Sequence, residues 1–525
     1  MNVAGRRLPT ALLLVAGLTL VGFAVRVPAI GDSLWGDELS TNYVVNGFGV
    51  GGVFHILRSA AEATPPLFFC LTWVTKGLDD EAGLRLISLL AGVVAIPLTY
   101  LVGSRTVGRP AAIVAAALIA LSPLQIFYAT EARAYALVMM LCLVATLTLL
   151  IAVEDGRARW WTAYGISVAA AAYTHLTAVF VLAVLFCWVM VARPEARRQA
   201  LLANIGAAIL FAPWIPQVLD DRNKPASKIL ELIHPLSLGS AKDDVIAWFL
   251  GHPNLTDSQM PGDLALWLIG SALLLGLAGL VHRLATDRRP GWWPPPAEVT
   301  LVLLIAVATP LGLALHNVVA PNLFISRNLI ASAPALALVV GALVTAGRRP
   351  VRIVATGLLI AGFAIGAVRM VDPDNRRPAY DSVAGFIEAT GQQGAPVVDV
   401  GPFTPGPQTP LEAALAPKGK AGPEDRPVMT LGFPTLADRL DAFRANEGGG
   451  LFFQTVPSDQ EIARQAALAA GSGKVFLVVP DSAFEPDLRR VAAFRAALPP
   501  RFHEVETRTF PGLGRFPVKV HVLQG

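Results

Sequence analysis

Apolar and polar stretches alternate along this chain on a scale longer than one amphipathic helix. Runs of about 17–25 apolar residues, bracketed by short arginine-bearing loops, recur as far as residue 369, and each reads as a bilayer-crossing helix. Eleven spans are placed near residues 10–30, 84–104, 111–128, 134–153, 161–174, 176–192, 199–218, 263–282, 298–316, 328–346 and 353–369. Every second connection is basic: Arg6/Arg7, Arg105/Arg109, Arg157/Arg159, Arg193/Arg197/Arg198, Arg283/Arg288/Arg289 and Arg348/Arg349/Arg352. Short basic loops stay cytoplasmic, so the intervening connections face outward.

Two stretches test this alternation. Residues 65–78 are apolar, but counting them as a span would invert every later basic loop, and the segment is short for crossing. It reads as a juxtamembrane helix opened by Pro65-Pro66. The stretch 160–192 has basic residues on both sides and crosses twice, as two short helices turning near Tyr173-Thr174-His175. The long outer loop, 219–262, carries two interfacial patches, KILELI (228–233) and DVIAWFL (244–250), and its His252 and Asp257 read as surface residues.

Beyond Arg369 the pattern changes to proline- and glycine-rich loops between short alternating runs. PVVDV (396–400), LFFQTV (451–456) and KVFLVV (474–479) predict strands, while 459–470 and 487–498 predict amphipathic helices. Residues 1–370 therefore read as a transmembrane core and 371–525 as a soluble α/β domain, outside by the count of spans. Arg369, Arg376 and Arg377 then lie on the outward side, against the charge rule.

Composition agrees with a polytopic membrane protein. Of 525 residues, 54% are hydrophobic and 15% charged, with a mean hydropathy of +0.55. The net charge of +4 sits in the short loops, so it marks topology and gives no nucleic-acid footprint. The abundance of arginine over lysine, with much Ala, Gly and Val, fits a high-GC bacterium and placement in its cytoplasmic membrane. Cys70, Cys142 and Cys187 lie in apolar stretches and read as small core residues. No ligand spacing marks a metal site, and the scattered outer carboxylates leave a divalent cation open. No phosphate-binding glycine loop follows a strand.

The candidate chemistry gathers at the outer ends of the spans. Asp37 and Glu38 sit just beyond the first span, in an amphipathic setting with Trp35, Leu39 and Tyr43. A partly desolvated interfacial carboxylate can take a proton from an attacking hydroxyl. Adjacent side chains diverge, so Asp37 is taken as the base and Glu38 as a residue that orients or binds the acceptor. Between the third and fourth spans, Tyr128, Glu131 and Tyr135 share one face if the connection is helical, and Arg133 lies off it. His175 marks a submerged outer turn. Arg327 opens the tenth span at its outer end, where a guanidinium suits a phosphate.

Taken in order, these motifs resemble those of the bacterial polyprenyl-phosphate-sugar-dependent membrane glycosyltransferases of the GT-C fold. That group includes the protein O-mannosyltransferases and the lipid A aminoarabinose transferase. Asp37-Glu38 is similar to the group's acidic motif, and Ser122-Pro123 through Tyr128, Glu131, Arg133 and Tyr135 to its S-P-x-x-x-x-Y-x-x-E-A-R-x-Y-A-L pattern. Tyr173-Thr174-His175 matches Y-T-H, and Ser326-Arg327 a late R-Y-x-x-P segment with Asn328 in the tyrosine's place. Thr64-Pro65-Pro66 stands where a His/Lys-Pro-Pro start is usual, with Thr in place of the basic residue. The resemblance covers roughly residues 10–370. It implies a sugar, mannose by preference, moved from polyprenyl phosphate to a hydroxyl of a lipid, glycan or protein, with inversion. Asp37 would then be the base, while Tyr128, Glu131, Arg133, Tyr135, His175 and Arg327 bind substrate or lipid phosphate.

Two other readings share the same span count. Arabinofuranosyl transfer in cell-wall assembly would use the same site. A transporter or flippase of a solute or lipid-linked sugar would place ionisable groups near the bilayer midplane, where these spans carry almost none.

Overall fold

A computed structural model describes residues 7–47, 49–58, 62–78, 81–221, 234–286, 296–391, 394–400, 408–417, 423–432, 457–481, 485–513 and 517–525. From the N-terminus come α1 (Arg7–Ala24) and three short helices, α2 (Glu38–Asn46), α3 (Val50–Leu57) and α4 (Leu67–Thr75). Then follow α5 (Glu81–Thr106), α6 (Arg109–Leu121), α7 (Pro123–Ala129), α8 (Tyr135–Asp155), α9 (Ala158–Thr174), α10 (Ala178–Ala192), α11 (Arg197–Phe211) and α12 (Ile215–Asp221). The bundle is completed by α13 (Leu238–Phe249), α14 (Asp263–Thr286), α15 (Ala297–His316), α16 (Ala333–Thr345) and α17 (Arg349–Val371).

Among the described residues eight helices are long and apolar enough to cross a membrane, and α6 with α7 makes a ninth if that bent pair is one span. The chain is thus a multi-span membrane protein. The other two of the eleven expected spans are α9 and α10, helices of 17 and 15 residues. At about 1.5 Å per residue they fall short of a hydrocarbon core of about 30 Å. The segment 65–78 forms only the nine-residue α4, too short to cross, with Pro66 at its N-cap. Large apolar side chains stay exposed around the bundle, such as Leu13, Leu20, Ile209, Leu274 and Val368, as lipid-facing helices require.

The bend between α6 and α7, 59°, has an identifiable cause. Pro123 has no N–H for the carbonyl of Ile119, four residues earlier, so the helix ends with orphan acceptors inside the bundle. Arg26, fully buried, fills them: its guanidinium donates to Ile119 O at 3.0 Å and Ala120 O at 2.9 Å. Its positive charge also suits a helix C-terminus. Ser122 then caps α7, accepting from Gln125 N.

Past α17 the chain builds a five-stranded mixed sheet in the order β2-β1-β3-β5-β4. Its elements are α18 (Tyr380–Thr390), β1 (Val397–Asp399), α19 (Pro410–Ala414), β2 (Val428–Thr430), α20 (Asp459–Ala470), β3 (Lys474–Pro480), α21 (Glu485–Ala497), β4 (His503–Phe510) and β5 (Val518–Gln524). Strand alternation splits the core. Phe476, Val478, Val520 and Val522 face α18, while Val475, Leu477 and Val479 face Ile462, Ala466 and Phe494. The predicted strands at 396–400 and 474–479 and both predicted helices are present; LFFQTV (451–456) and KILELI (228–233) lie outside the described residues. The edge strand β4 has polar, mostly exposed positions and no apolar alternation to announce it.

The sheet unit is fastened to the loop that follows α1. Ser33 Oγ donates to Asp381 Oδ2 at 2.7 Å and accepts from Asp381 N at 2.8 Å. Arg376 pairs with Asp32 at 3.3 Å, and Asn42 donates to Gln408 at 3.2 Å. Leu513 from the β4–β5 connection is buried with the bundle core. His252, expected at the surface, is buried instead, its ring 4.7 Å from Phe127 under this junction.

Candidate active site

The site is built at the end of the bundle where the sheet unit docks. Gly36 adopts φ +60°, a left-handed turn that suits glycine, and α2 starts directly after it. Asp37 is the N-cap residue, but its side chain does not cap the helix. It turns to Arg327, whose Nη1 donates to Asp37 Oδ2 at 2.9 Å. Both side chains keep part of their surface, 26% for Asp37 and 30% for Arg327, so the pair is open to solvent. Burial pushes the Asp37 carboxyl up, but Arg327 and then Arg133 together outweigh it and hold it below the usual carboxylate range.

Glu38 points the other way and is sealed. Arg85 donates to both of its oxygens at 2.7 Å, Ala132 N–H donates at 2.8 Å, and Arg377 Nε lies 3.0 Å from Oε2. Burial raises this carboxyl, and Arg377 and Arg85 more than offset it. With no exposed surface, Glu38 is placed to hold α2 rather than to meet a substrate. Arg85 also donates to the carbonyls of Ile30, Asp32 and Ser33, tying the whole turn down.

The connection between α7 and α8 is not the continuous helix on which the face-sharing argument rests. Residues 130–134 form a non-helical break, and Ala132 N–H goes to Glu38 instead of a helix carbonyl. The break still gathers the expected groups. The Tyr128 and Tyr135 rings meet at 4.9 Å, Tyr135 and His175 at 5.5 Å, and the Arg327 guanidinium lies 6.0 Å above the Tyr135 ring. Glu131 is buried, and among the described residues its Oε2 has no hydrogen-bond partner. Burial, with Glu38 and then Asp37 adding to it, pushes its carboxyl up to about 8. It is therefore mostly neutral at pH 7 and can donate a hydrogen bond.

Arg133 forms a second pair. It donates to Glu62 Oε2 at 2.7 Å and to Thr64 Oγ1 at 3.3 Å, with its guanidinium 6.0 Å from the Phe69 ring. A cation thus stands beside Thr64, although residue 64 itself is not basic. His175 Nδ1 accepts from Thr177 N at 3.3 Å, so its other ring nitrogen carries the proton. Burial, then Arg133 and Arg327, lower this imidazole to about 4.

Sequence reasoning missed Glu62, Arg85 and Arg377. Arg85 had a signal, being a charge one turn into an apolar span. Arg377 had another, as an exception to the inside-positive pattern. Glu62 had none beyond its proximity to Thr64-Pro65-Pro66. Among the described residues no three His, Cys, Asp or Glu side chains group as metal ligands. The carboxylates Asp37, Glu38 and Glu62 are each matched by arginine.

Residues 63–216, which carry the 122–137 motif and His175, match the family of dolichyl-phosphate-mannose-protein mannosyltransferases. Among solved structures, the chain aligns with ArnT from Cupriavidus metallidurans bound to undecaprenyl phosphate, at TM-score 0.54 and 15% identity over 97% of both chains. The apo state of the same protein aligns at TM-score 0.55, again at 15% identity over 97% of both chains. The fold is GT-C. A looser likeness, TM-score 0.45 at 13% identity, is to the Archaeoglobus fulgidus oligosaccharyltransferase tethered with an acceptor peptide, over 94% of this chain and 72% of that one. No curated protein matches in sequence. Within the GT-C bundle described here, the matched family segment includes neither Asp37 nor Arg327, so their pairing is a finding of the geometry alone.

Proposed function

We propose that this protein is an inverting glycosyltransferase that moves a sugar from polyprenyl phosphate to a hydroxyl acceptor at the outer face of a bacterial cytoplasmic membrane. Residues 371–525 then form an extracytoplasmic domain. The observation that carries the reading is the Asp37–Arg327 pair: a carboxylate and a guanidinium from opposite parts of the chain, accessible together beside Tyr135. The family match over 63–216 and the GT-C fold support it.

In this reading Arg327 receives the phosphate of the donor, and its departure from Asp37 frees the carboxylate and raises its basicity. Asp37 then takes the acceptor proton as the hydroxyl oxygen attacks the anomeric carbon. The bond from that carbon to the phosphate oxygen breaks, and polyprenyl phosphate leaves with the electron pair. Arg327, aided by Arg133, stabilises the charge that grows on the leaving phosphate. Tyr128, Tyr135 and His175 line the sugar's approach, and neutral Glu131 donates to a substrate oxygen. Glu38 holds the turn that presents Asp37. Mannose is the favoured sugar, from the matched family, with arabinofuranose the alternative.

The test is transfer by purified full-length protein, with a panel of radiolabelled polyprenyl-phosphate sugars and a membrane-lipid and cell-wall extract as acceptors. One donor is expected to give labelled acceptor, and Asp37→Asn is expected to lose about 10³-fold in kcat with donor binding kept. Near-normal turnover by Asp37→Asn would remove it as the base. No transfer from any donor, with solute uptake into liposomes instead, would replace the reading by transport.

A further inference from the structure

We propose that Arg377, delivered by the segment joining the last span to the sheet unit, is a positioning residue for transfer, holding the acidic turn and the 130–134 break in register. This rests on the glycosyl-transfer reading above.

Arg377 touches both walls of the site from behind. Its Nε lies 3.0 Å from Glu38 Oε2, and its guanidinium sits 4.9 Å from the Phe127 ring, three residues before the break. The side chain is 3% exposed, so it meets no substrate itself. Glu38 in turn accepts the N–H of Ala132, which lies between Glu131 and Arg133. One carboxylate and one guanidinium therefore link α2, α7 and the break, and Asp37 is the residue immediately before Glu38.

The position of Arg377 is set by the sheet unit. Leu513 N donates to Arg376 O at 3.0 Å, and Ala379 N donates to Pro511 O at 3.2 Å, so the β4–β5 connection grips the backbone on either side. Arg376 adds its pair with Asp32. Beneath the junction, one small cavity is lined by Asp32, His252, Arg376 and Arg377. Asp32 Oδ2, His252 Nε2, Arg376 Nε and Arg377 Nη2 are all buried without a partner among the described residues.

Because Arg377 acts through Glu38 and not on the donor, its loss should appear in the catalytic step. In purified full-length protein, Arg377→Met is expected to lower kcat per folded molecule by about 10–100-fold, with donor KM within about twofold. Arg377→Lys should recover part of the rate, and Arg464→Ala, on the exposed face of α20, should change neither constant. Unchanged kcat in Arg377→Met, or a loss seen only in KM, overturns the inference while leaving the transfer reading intact. A second measurement does not depend on activity: thermal unfolding of Arg377→Met, Glu38→Gln and the double variant. Non-additive shifts are expected, since the two side chains are in contact; additive shifts overturn the inference. If the wild type transfers no sugar, the transfer reading fails, and coupling in stability alone reduces Arg377 to a structural partner, which also overturns it.

Discussion

In the sheet unit, Arg464 meets Glu461 at 2.6 Å and Lys519 meets Asp481 at 2.9 Å, all four side chains in contact with solvent. At the docked end of the bundle, Arg85 meets Glu38 at the same 2.7 Å scale with neither side chain exposed at all. Distance does not separate these pairs; surroundings do. Water screens the first kind, so they contribute little to stability and leave their carboxylates free to exchange partners. The second kind has already lost its hydration, and the cost of breaking it is the cost of a stranded charge. Asp37–Arg327 lies between the extremes, dry enough to be strong and open enough to be displaced. Under the proposed function, a pair released when a phosphate binds suits that middle position.

The comparison can be broken at four places. The largest effect is expected from Arg327→Met, a loss of about 10²–10³-fold in kcat/KM for the donor. A change below tenfold in steady-state kinetics would separate Arg327 from the phosphate. Next, Glu38→Gln should lower unfolding stability by on the order of 3 kcal/mol, since two arginines lose their counter-charge; Asp37→Asn, measured alongside in detergent, should cost clearly less. If the two cost the same, the distinction between sealed and accessible pairs is wrong.

Glu131 gives a smaller, pH-dependent effect. Its folded-state value, about 8, is above that of an unfolded glutamate, so the folded state holds the proton more tightly. Its contribution to stability is complete below the unfolded value and is lost as pH rises through about 8. Glu131→Gln, which cannot ionise, should therefore gain in melting temperature relative to wild type between pH 5.5 and 8.5, and flatten the alkaline fall in rate. Parallel melting curves across that range would show that Glu131 is already ionised in the folded protein. The smallest effect is expected from Lys519→Met, which should move unfolding by less than about 0.5 kcal/mol and leave transfer unchanged.

Much of the bundle could be read from apolar run length, and the helix at 459–470 matches its predicted bounds. The two spans that fell short, α9 and α10, were already among the shortest runs. What failed was local reasoning about 128–135. Glu-Ala-Arg-Ala is good helix sequence, yet the break is imposed from elsewhere: Ala132 N–H is captured by Glu38, and Arg133 by Glu62. Those partners lie 94 and 71 residues away, and no periodicity encodes such a pairing. The same is true of Asp37 and Arg327, 290 residues apart; the sequence offered both as candidates, but not that they touch. Charges out of place were the signal to follow, Arg85 inside a span and Arg377 against the expected inside-positive pattern, because burying an arginine needs a partner to justify it.

Two of the arginines that tie down the site end lie far apart in the order of synthesis. Arg26 follows the first helix, so it is in place before the ribosome has made the Pro123 break whose stranded carbonyls it receives. The broken span can be inserted into a membrane that already holds its cap. Arg377 follows α17, so the chain already contains the other two partners of Glu38, Arg85 and the N–H of Ala132, before it is reached. A chain cut short after α17 would keep Asp37, Arg327 and the Arg85 bonds that hold the turn, yet would lack the contact of Arg377 with Glu38.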